Sequence, residues 1–136
     1  MIGFNYETKF KLEDEDKISS WIVNAIQTEN RKEGEINYVF CDDDYLLKLN
    51  VEFLDHDTLT DIISFDYSVG KELHGDIFIS IERVIDNAKD LDLPFIDELM
   101  RVIVHGVLHY CGYKDKTDED AKLMRKKEDY YLNLIA

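Results

Sequence analysis

Ile2, Phe4, Tyr6, Phe10 and Leu12 fall on alternate positions, broken only at Thr8. That is the period of a half-buried strand, and it predicts a first β-strand over residues 2 to 12. The period then changes: Ile18, Trp21, Ile22, Ala25 and Ile26 recur at spacings of three and four behind the acidic run Glu13 to Asp16. A helix is expected there, with negative side chains in the first turn where the helix dipole favours them, and Gly34 following its stop. Ile36, Tyr38 and Phe40 alternate in a short second strand, after which Asp42 to Asp44 offer capping carboxylates to a helix carrying Leu46, Leu49 and Phe53. Leu54 to Thr60 reads as a loop. Two β-rich runs, Asp61 to Tyr67 and Asp76 to Ile81, flank the glycine-bounded connection Ser68 to Gly75 and are expected to pair or neighbour in one sheet. Helical spacing returns in Val84, Ile85 and Ala88 within Glu82 to Leu91. Pro94 then suits the start of a helix running to Cys111 and stopping at Gly112, a residue fitted to the left-handed turn that ends helices. Thr117 with Asp120 forms an approximate capping box for a last helix through Met124, Tyr131 and Leu132. Strands interleaved with helices give an α/β (α+β) fold class, a small mixed sheet packed with helices, and residues 1–136 are expected to form a single domain.

Composition narrows the function classes. Hydrophobic residues are 45% of the 136, charged residues 34%, and there is one proline, which fits a globular chain and excludes collagen and low-complexity classes. The formal charge is −14, a field that repels polyanions unless local cations or a metal ion reverse it. Two cysteines, Cys41 and Cys111, make no disulfide framework. No cationic start followed by an apolar stretch resembles a signal peptide, so a cytoplasmic location is expected. The apolar run Val102 to Val104 is cut short by His105, and no stretch approaches the roughly 18–20 residues that span a bilayer.

The chemistry concentrates in His105-Gly-Val-Leu-His109-Tyr-Cys-Gly112-Tyr-Lys-Asp115. Histidines four apart project from one helix face, close enough to share a metal ion. Gly112 can reverse the backbone so that Asp115 returns to complete a three-ligand site with an open fourth position at the end of the helix. The spacing is that of the metzincin pattern H-E-x-x-H-x-x-G-x-x-H, with Gly106 for the glutamate and Asp115 for the last histidine. The missing glutamate is the general base of zinc proteases, so peptide hydrolysis is disfavoured. Gly106 inside a helix costs about 1 kcal/mol relative to alanine, which asks for a reason such as close packing or room for a bulky substrate. Two imidazoles and a carboxylate suit Zn²⁺ and permit nickel or iron. Lys114, Lys116, Lys122, Arg125, Lys126 and Lys127 are the densest cations of the chain. They read equally as a phosphate-attracting group or as a solvated helix face paired with Asp118, Glu119, Asp120 and Glu128. His56 and His74 fall in expected surface loops, and Tyr130 and Tyr131 are expected in the core.

The segment HGVLHYCGYKD resembles the signature H-G-x-L-H-x-x-G-Y-D-H of the YbeY family of bacterial rRNA-maturation endoribonucleases. Lys114 stands where that pattern has aspartate and Asp115 where it has the third histidine. Upstream, Leu49-Asn50, Thr60-Asp61-Ile62-Ile63-Ser64-Phe65 and Gly75-Asp76-Ile77-Phe78-Ile79-Ser80 are similar to the family's LN, T-D-V-L-S-F and G-D-I-x-I-S blocks, in the same order. An arginine that the family tends to have before the second block has no counterpart in Phe53-Leu54-Asp55-His56-Asp57. The resemblance implies a cytoplasmic α/β metalloprotein acting on single-stranded rRNA at the 3′ end of the small-subunit RNA and associating with the small ribosomal subunit. It places one zinc at His105, His109 and Asp115. A metal-activated water or the RNA's own 2′-hydroxyl is then the nucleophile, and Asp61 and Asp76, each beginning a predicted strand, are candidates for the general base. Two other functions stay open at this point: a non-catalytic ribosome-assembly factor with a structural metal, and a metal hydrolase of a small substrate.

Overall fold

The computed structural model describes residues 1–55 and 58–135. His56, read above as a surface loop residue, lies outside the described residues. The elements in chain order are β1 (Ile2–Tyr6), α1 (Glu15–Thr28), β2 (Lys32–Cys41), α2 (Asp43–Leu54), β3 (Ile62–Asp66), β4 (Glu72–Ser80), α3 (Ile81–Asp90), α4 (Phe95–Tyr110) and α5 (Asp118–Ile135). The sheet order is β1-β2-β4-β3. Parallel pairs join β1 to β2 and β2 to β4, and β3 returns antiparallel to β4, so the expected mixed sheet and the β3–β4 pairing are both present.

Strand parity decides what each face carries. Ile36, Tyr38 and Phe40 of β2 and Ile77 and Ile79 of β4 are fully buried and pack with Trp21, Ile22 and Ile26 of α1 and Leu99, Ile103 and Val107 of α4 in one large core. The opposite face carries a smaller cluster in which Cys41, Leu46 of α2 and Ile63 meet Phe65 and Phe78. Fully burying residues of this size stabilises by about 1.5–3 kcal/mol each, so the large core on the α1/α4 face fixes where α4 lies.

Local chemistry sets the helix ends. Asp42 caps α2 by accepting from the Tyr45 amide at 2.9 Å, and Thr117 Oγ1 accepts from the Asp120 amide at 3.1 Å at the start of α5. Helix α1 stops at Asn30, which takes the left-handed conformation (φ 61). The Asn30 and Arg31 amides donate to Gln27 and Ile26, closing the hydrogen-bond pair of a Schellman cap. Gly34 is therefore not the stop; it lies inside β2, where a side chain would run into the His74 ring and the Leu73 carbonyl. The first strand is also shorter than its alternation, because the chain turns after Tyr6 and brings Phe10 and Leu12 onto the core without strand pairing. His74 is half-buried in β4, not in a loop. The tyrosine pair splits, Tyr131 being fully buried and Tyr130 51% exposed.

Candidate metal centre

Helix α4 ends as its sequence predicts. Gly112 has φ +100, Gly112 N–H donates to the His109 carbonyl at 3.0 Å and Tyr113 N–H to the Leu108 carbonyl at 3.1 Å, again the paired bonds of a Schellman cap. Arg31 holds the same turn from outside, donating to the Cys111 carbonyl at 2.9 Å. The reversed chain returns Asp115 to the helix face that carries both histidines. His105 Nε2 and His109 Nε2 are 2.9 Å apart, and Asp115 Oδ2 lies 3.4 Å from the first and 3.6 Å from the second. Gly106 sits between the histidines on the side that meets the sheet: a Cβ there would come within 3.0 Å of Ile77 Cδ1 and 3.2 Å of Ile62 Cδ1. Close packing accounts for the glycine.

Proton placement bears on what this triangle can hold. His109 Nδ1 lies 2.9 Å from the Tyr113 carbonyl, and a carbonyl only accepts, so the hydrogen is on Nδ1. His105 Nδ1 lies 2.7 Å from a carboxylate oxygen of Glu128, which fixes its hydrogen in the same way. In the neutral rings both Nε2 atoms then carry lone pairs, and two lone pairs facing each other at this distance are reconciled by a proton or a metal ion between them. A shared proton would answer the nitrogen pair alone. The carboxylate oxygen at nearly equal distance from both makes three donors around one point, about 1.9 Å from each by triangle geometry. A tetrahedral ion with bonds of about 2.0–2.1 Å sets its ligand atoms about 3.3–3.4 Å apart. The edges observed, 2.9, 3.4 and 3.6 Å, bracket that value. Two imidazoles and one carboxylate with the side chains still 18%, 30% and 46% exposed are the donor set of a site with an open position, so the residues fit zinc.

Electrostatics agree. Burial alone would lower the pKa of His105, yet the hydrogen bond and charge of Glu128, with the charge of Asp115, turn the net shift upward. His109 goes the other way, lowered by burial and by the neighbouring His105 charge. A charge on His105 thus disfavours one on His109.

Glu128 is the site residue that sequence reasoning missed. It was read as part of a solvated helix face, but it is 4% exposed and also accepts from Arg101 Nη1 at 2.8 Å. Burial would raise its carboxyl pKa, but the hydrogen bonds from His105 and Arg101 hold it below the usual range. The signal was its position: Met124, Glu128 and Tyr131 are the buried stripe of α5, so a carboxylate on that stripe needed a buried partner. Carboxylate, histidine and metal in line is the usual arrangement by which outer groups orient ligands.

Asp61 and Asp76 separate. Asp61, immediately before β3, lines a cleft of about 230 Å³ together with Glu98, Arg101, His105, Asp115 and Arg125. Burial raises its carboxyl pKa. Asp76 pairs in register with Phe65 and Asn37, alternating with the core-facing Ile77, and lines a different depression with His74 and Tyr67. Of the six cations noted after the motif, Arg125 reaches this cleft, whereas Lys127 lies 3.3 Å from Glu29 and stacks over Tyr113.

Fold and site together define an α/β protein with a His-x₃-His…Asp metal-type centre at a helix C-terminus, differing from zinc proteases by the absence of the adjacent glutamate. The family profile described as Endoribonuclease YbeY matches residues 3–136, and the chain belongs to this family. Among its relatives are two proteins named Endoribonuclease YbeY. The one from Flavobacterium johnsoniae is 64% identical over 129 residues, covering 95% of this chain and 93% of the relative. The one from Flavobacterium psychrophilum is 61% identical over 135 residues, covering 99% and 96%. The solution structure of TM1509 from Thermotoga maritima superposes with a TM-score of 0.72 at 25% identity, covering 99% of this chain and 89% of that one. Among the described residues no helix is long and apolar enough to cross a membrane.

Proposed function

We propose that residues 1–136 act as one unit, a zinc-dependent endoribonuclease that cuts single-stranded rRNA during maturation of the small ribosomal subunit in the cytoplasm. The observation that carries the reading is the pair of Nε2 lone pairs 2.9 Å apart with Asp115 closing the triangle, in a chain whose relatives are named endoribonucleases. His105, His109 and Asp115 hold the ion. When bound, zinc polarises a phosphoryl oxygen and lowers the pKa of a coordinated water toward about 7.

The chain's own groups supply the rest. Glu128 and the Tyr113 carbonyl keep both imidazoles in the tautomer that presents Nε2. Asp61, in the same cleft and with its carboxyl pKa raised by burial, takes up the proton of the attacking hydroxyl or water, because a base works best with a pKa near the working pH. Asp76 has no part in this reaction, since it lies on the other face of β4. Arg125 gives the cleft the cation that a phosphodiester needs in a chain of charge −14. The two buried cysteines stay as thiols, which suits a reducing compartment.

His109→Ala in rigorously purified protein tests the reading. The variant keeps its cooperative unfolding, loses bound metal by elemental analysis, and loses RNA cleavage, as does the wild type after chelation. Cleavage retained in the metal-free protein would reject the mechanism. Co-sedimentation with small subunits tests the partner.

A further inference from the structure

Along α4 the residues facing the cleft recur at helical spacing: Glu98, Arg101, Val102 and His105. Glu98 is unusual among them. It is 6% exposed, and its Oε1 has no hydrogen-bond partner among the described residues. The nearest cation, Arg101 Nε, is 4.0 Å away, and the other guanidinium nitrogens of Arg101 are committed to Glu128 and Asp129 at 2.8 Å each. A buried acceptor left unpaired is costly, and here it lines the cleft that contains His105 and Asp115.

The missing partner is a hydrogen-bond donor. Resting on the endoribonuclease reading above, we propose that Glu98 accepts a hydrogen bond from a ribose 2′-hydroxyl and that this contact selects RNA over DNA. Three observations choose the sugar. The unpartnered carboxylate asks for a donor, and the 2′-hydroxyl is the donor every ribonucleotide carries whatever its base, the group by which proteins tell RNA from DNA. Glu98 lies seven residues before His105, which at 1.5 Å per residue is about 10 Å along the helix. It therefore meets a nucleotide one or two removed from the phosphate at the triad, not the scissile one. Arg125, 57% exposed and no closer than 3.9 Å to Glu128, is available on α5 for the intervening phosphate, leaving the buried carboxyl for the sugar.

The test compares metal-loaded wild type, Glu98→Ala and Glu98→Gln by stopped-flow fluorescence anisotropy, read before turnover, on single-stranded oligonucleotides of one sequence made as RNA and as DNA. The ratio of the two affinities cancels the uniform gain in polyanion binding that follows removal of a negative charge. Wild type is expected to prefer RNA about tenfold or more, the worth of one hydrogen bond to a charged group. Glu98→Ala is expected to fall within about twofold of parity, and Glu98→Gln, which keeps a carbonyl acceptor, to lie between. A second measurement needs no variant: single 2′-deoxy substitutions walked along the RNA should weaken wild-type binding at one position, one or two nucleotides from the cut. No RNA preference in wild type, a wild-type ratio in Glu98→Ala, or a preference that follows base identity instead of the sugar overturns the proposal. Its failure is separable from that of the nuclease reading. Glu98-dependent RNA preference without cleavage sinks the nuclease alone, and cleavage with an RNA preference that ignores Glu98 sinks this contact alone.

Discussion

Replacing Glu128 by glutamine changes one oxygen to an NH₂ at the most constrained carboxylate of the site. The group accepts from His105 Nδ1 at 2.7 Å and from Arg101 Nη1 at 2.8 Å while 4% exposed. An amide can serve only one of those donors, since its NH₂ meets the other donor head on. Arg101 retains Asp129 at 2.8 Å, so the amide oxygen turns to His105 and Arg101 loses a charge-assisted bond. That loss is about 1.5–3 kcal/mol of stability. In a chain of this length it corresponds to roughly 5–12 °C in Tm for metal-free protein. The imidazole keeps its tautomer but loses the negative charge that raises its basicity, so metal affinity falls about tenfold, or 1.4 kcal/mol. Glu128→Ala removes the orientation as well and falls by about a hundredfold. The assay is competition with a chromophoric chelator, with the cobalt(II) spectrum as a report on ligand geometry and thermal unfolding in chelator as the control for the fold. If Glu128→Gln and Glu128→Ala bind metal within twofold of wild type while folded, Glu128 is only a partner for Arg101 and the tautomer argument fails.

Glu29 accepts from Tyr113 Oη at 2.6 Å, from Tyr131 Oη and from Lys127 Nζ at 3.3 Å. Burial alone would raise its carboxyl pKa, but these donors hold it below the ordinary value. Its contribution to stability is therefore complete above the unfolded pKa of about 4.3 and is lost as the pH falls through the lower folded value. Glu29→Gln should be less stable than wild type at pH 7, with the gap narrowing below about pH 4.3 in urea titrations; a gap independent of pH would refute the assignment. Gly75 of β4 lies where Tyr110 Oη reaches across to the Phe65 carbonyl at 2.9 Å, and a Cβ would collide with both groups. Gly75→Ala should cost about 2–3 kcal/mol in urea unfolding, and a neutral substitution would show that Tyr110 is free to move.

The triad was legible because its three residues lie within eleven positions and its geometry follows from one helix and one cap. His105 and His109 share a face by helical period, and Gly112 supplies the only turn needed to return Asp115. Features set by distant partners were not legible in the same way. Gly34 looks like a helix stop until β4 places His74 against it, and the stretch before Gly75 looks like a loop until β2 pairs with it from Glu72 onward. Alternation in residues 2 to 12 reported burial correctly and strand pairing incorrectly, because Phe10 and Leu12 reach the core without a ladder. Asp76 was decidable: strand parity with Ile77 and Ile79 already put it on the face away from α4.

The charge of the chain bears on all of this, because an acidic protein must attract a polyanion locally. At physiological ionic strength, exposed charges farther than about 8 Å are largely screened. The total of −14 therefore matters less than what surrounds the triad. There, two neutral imidazoles and one carboxylate would leave a bound divalent ion at about +1. Arg101 is balanced by Glu128 and Asp129, and Arg125 extends into the cleft 57% exposed. Against these stand the carboxylates of Asp61 and Glu98, which line the same cleft. Arg125 and a bound ion are thus the local attraction for a phosphate within a strongly negative surface. On the function proposed above, such a site would hold a single strand through one or two phosphates and through hydrogen bonds, not through a broad basic face. Selectivity would then rest on buried polar groups, as proposed for Glu98, whose hydrogen bonds strengthen where water is excluded.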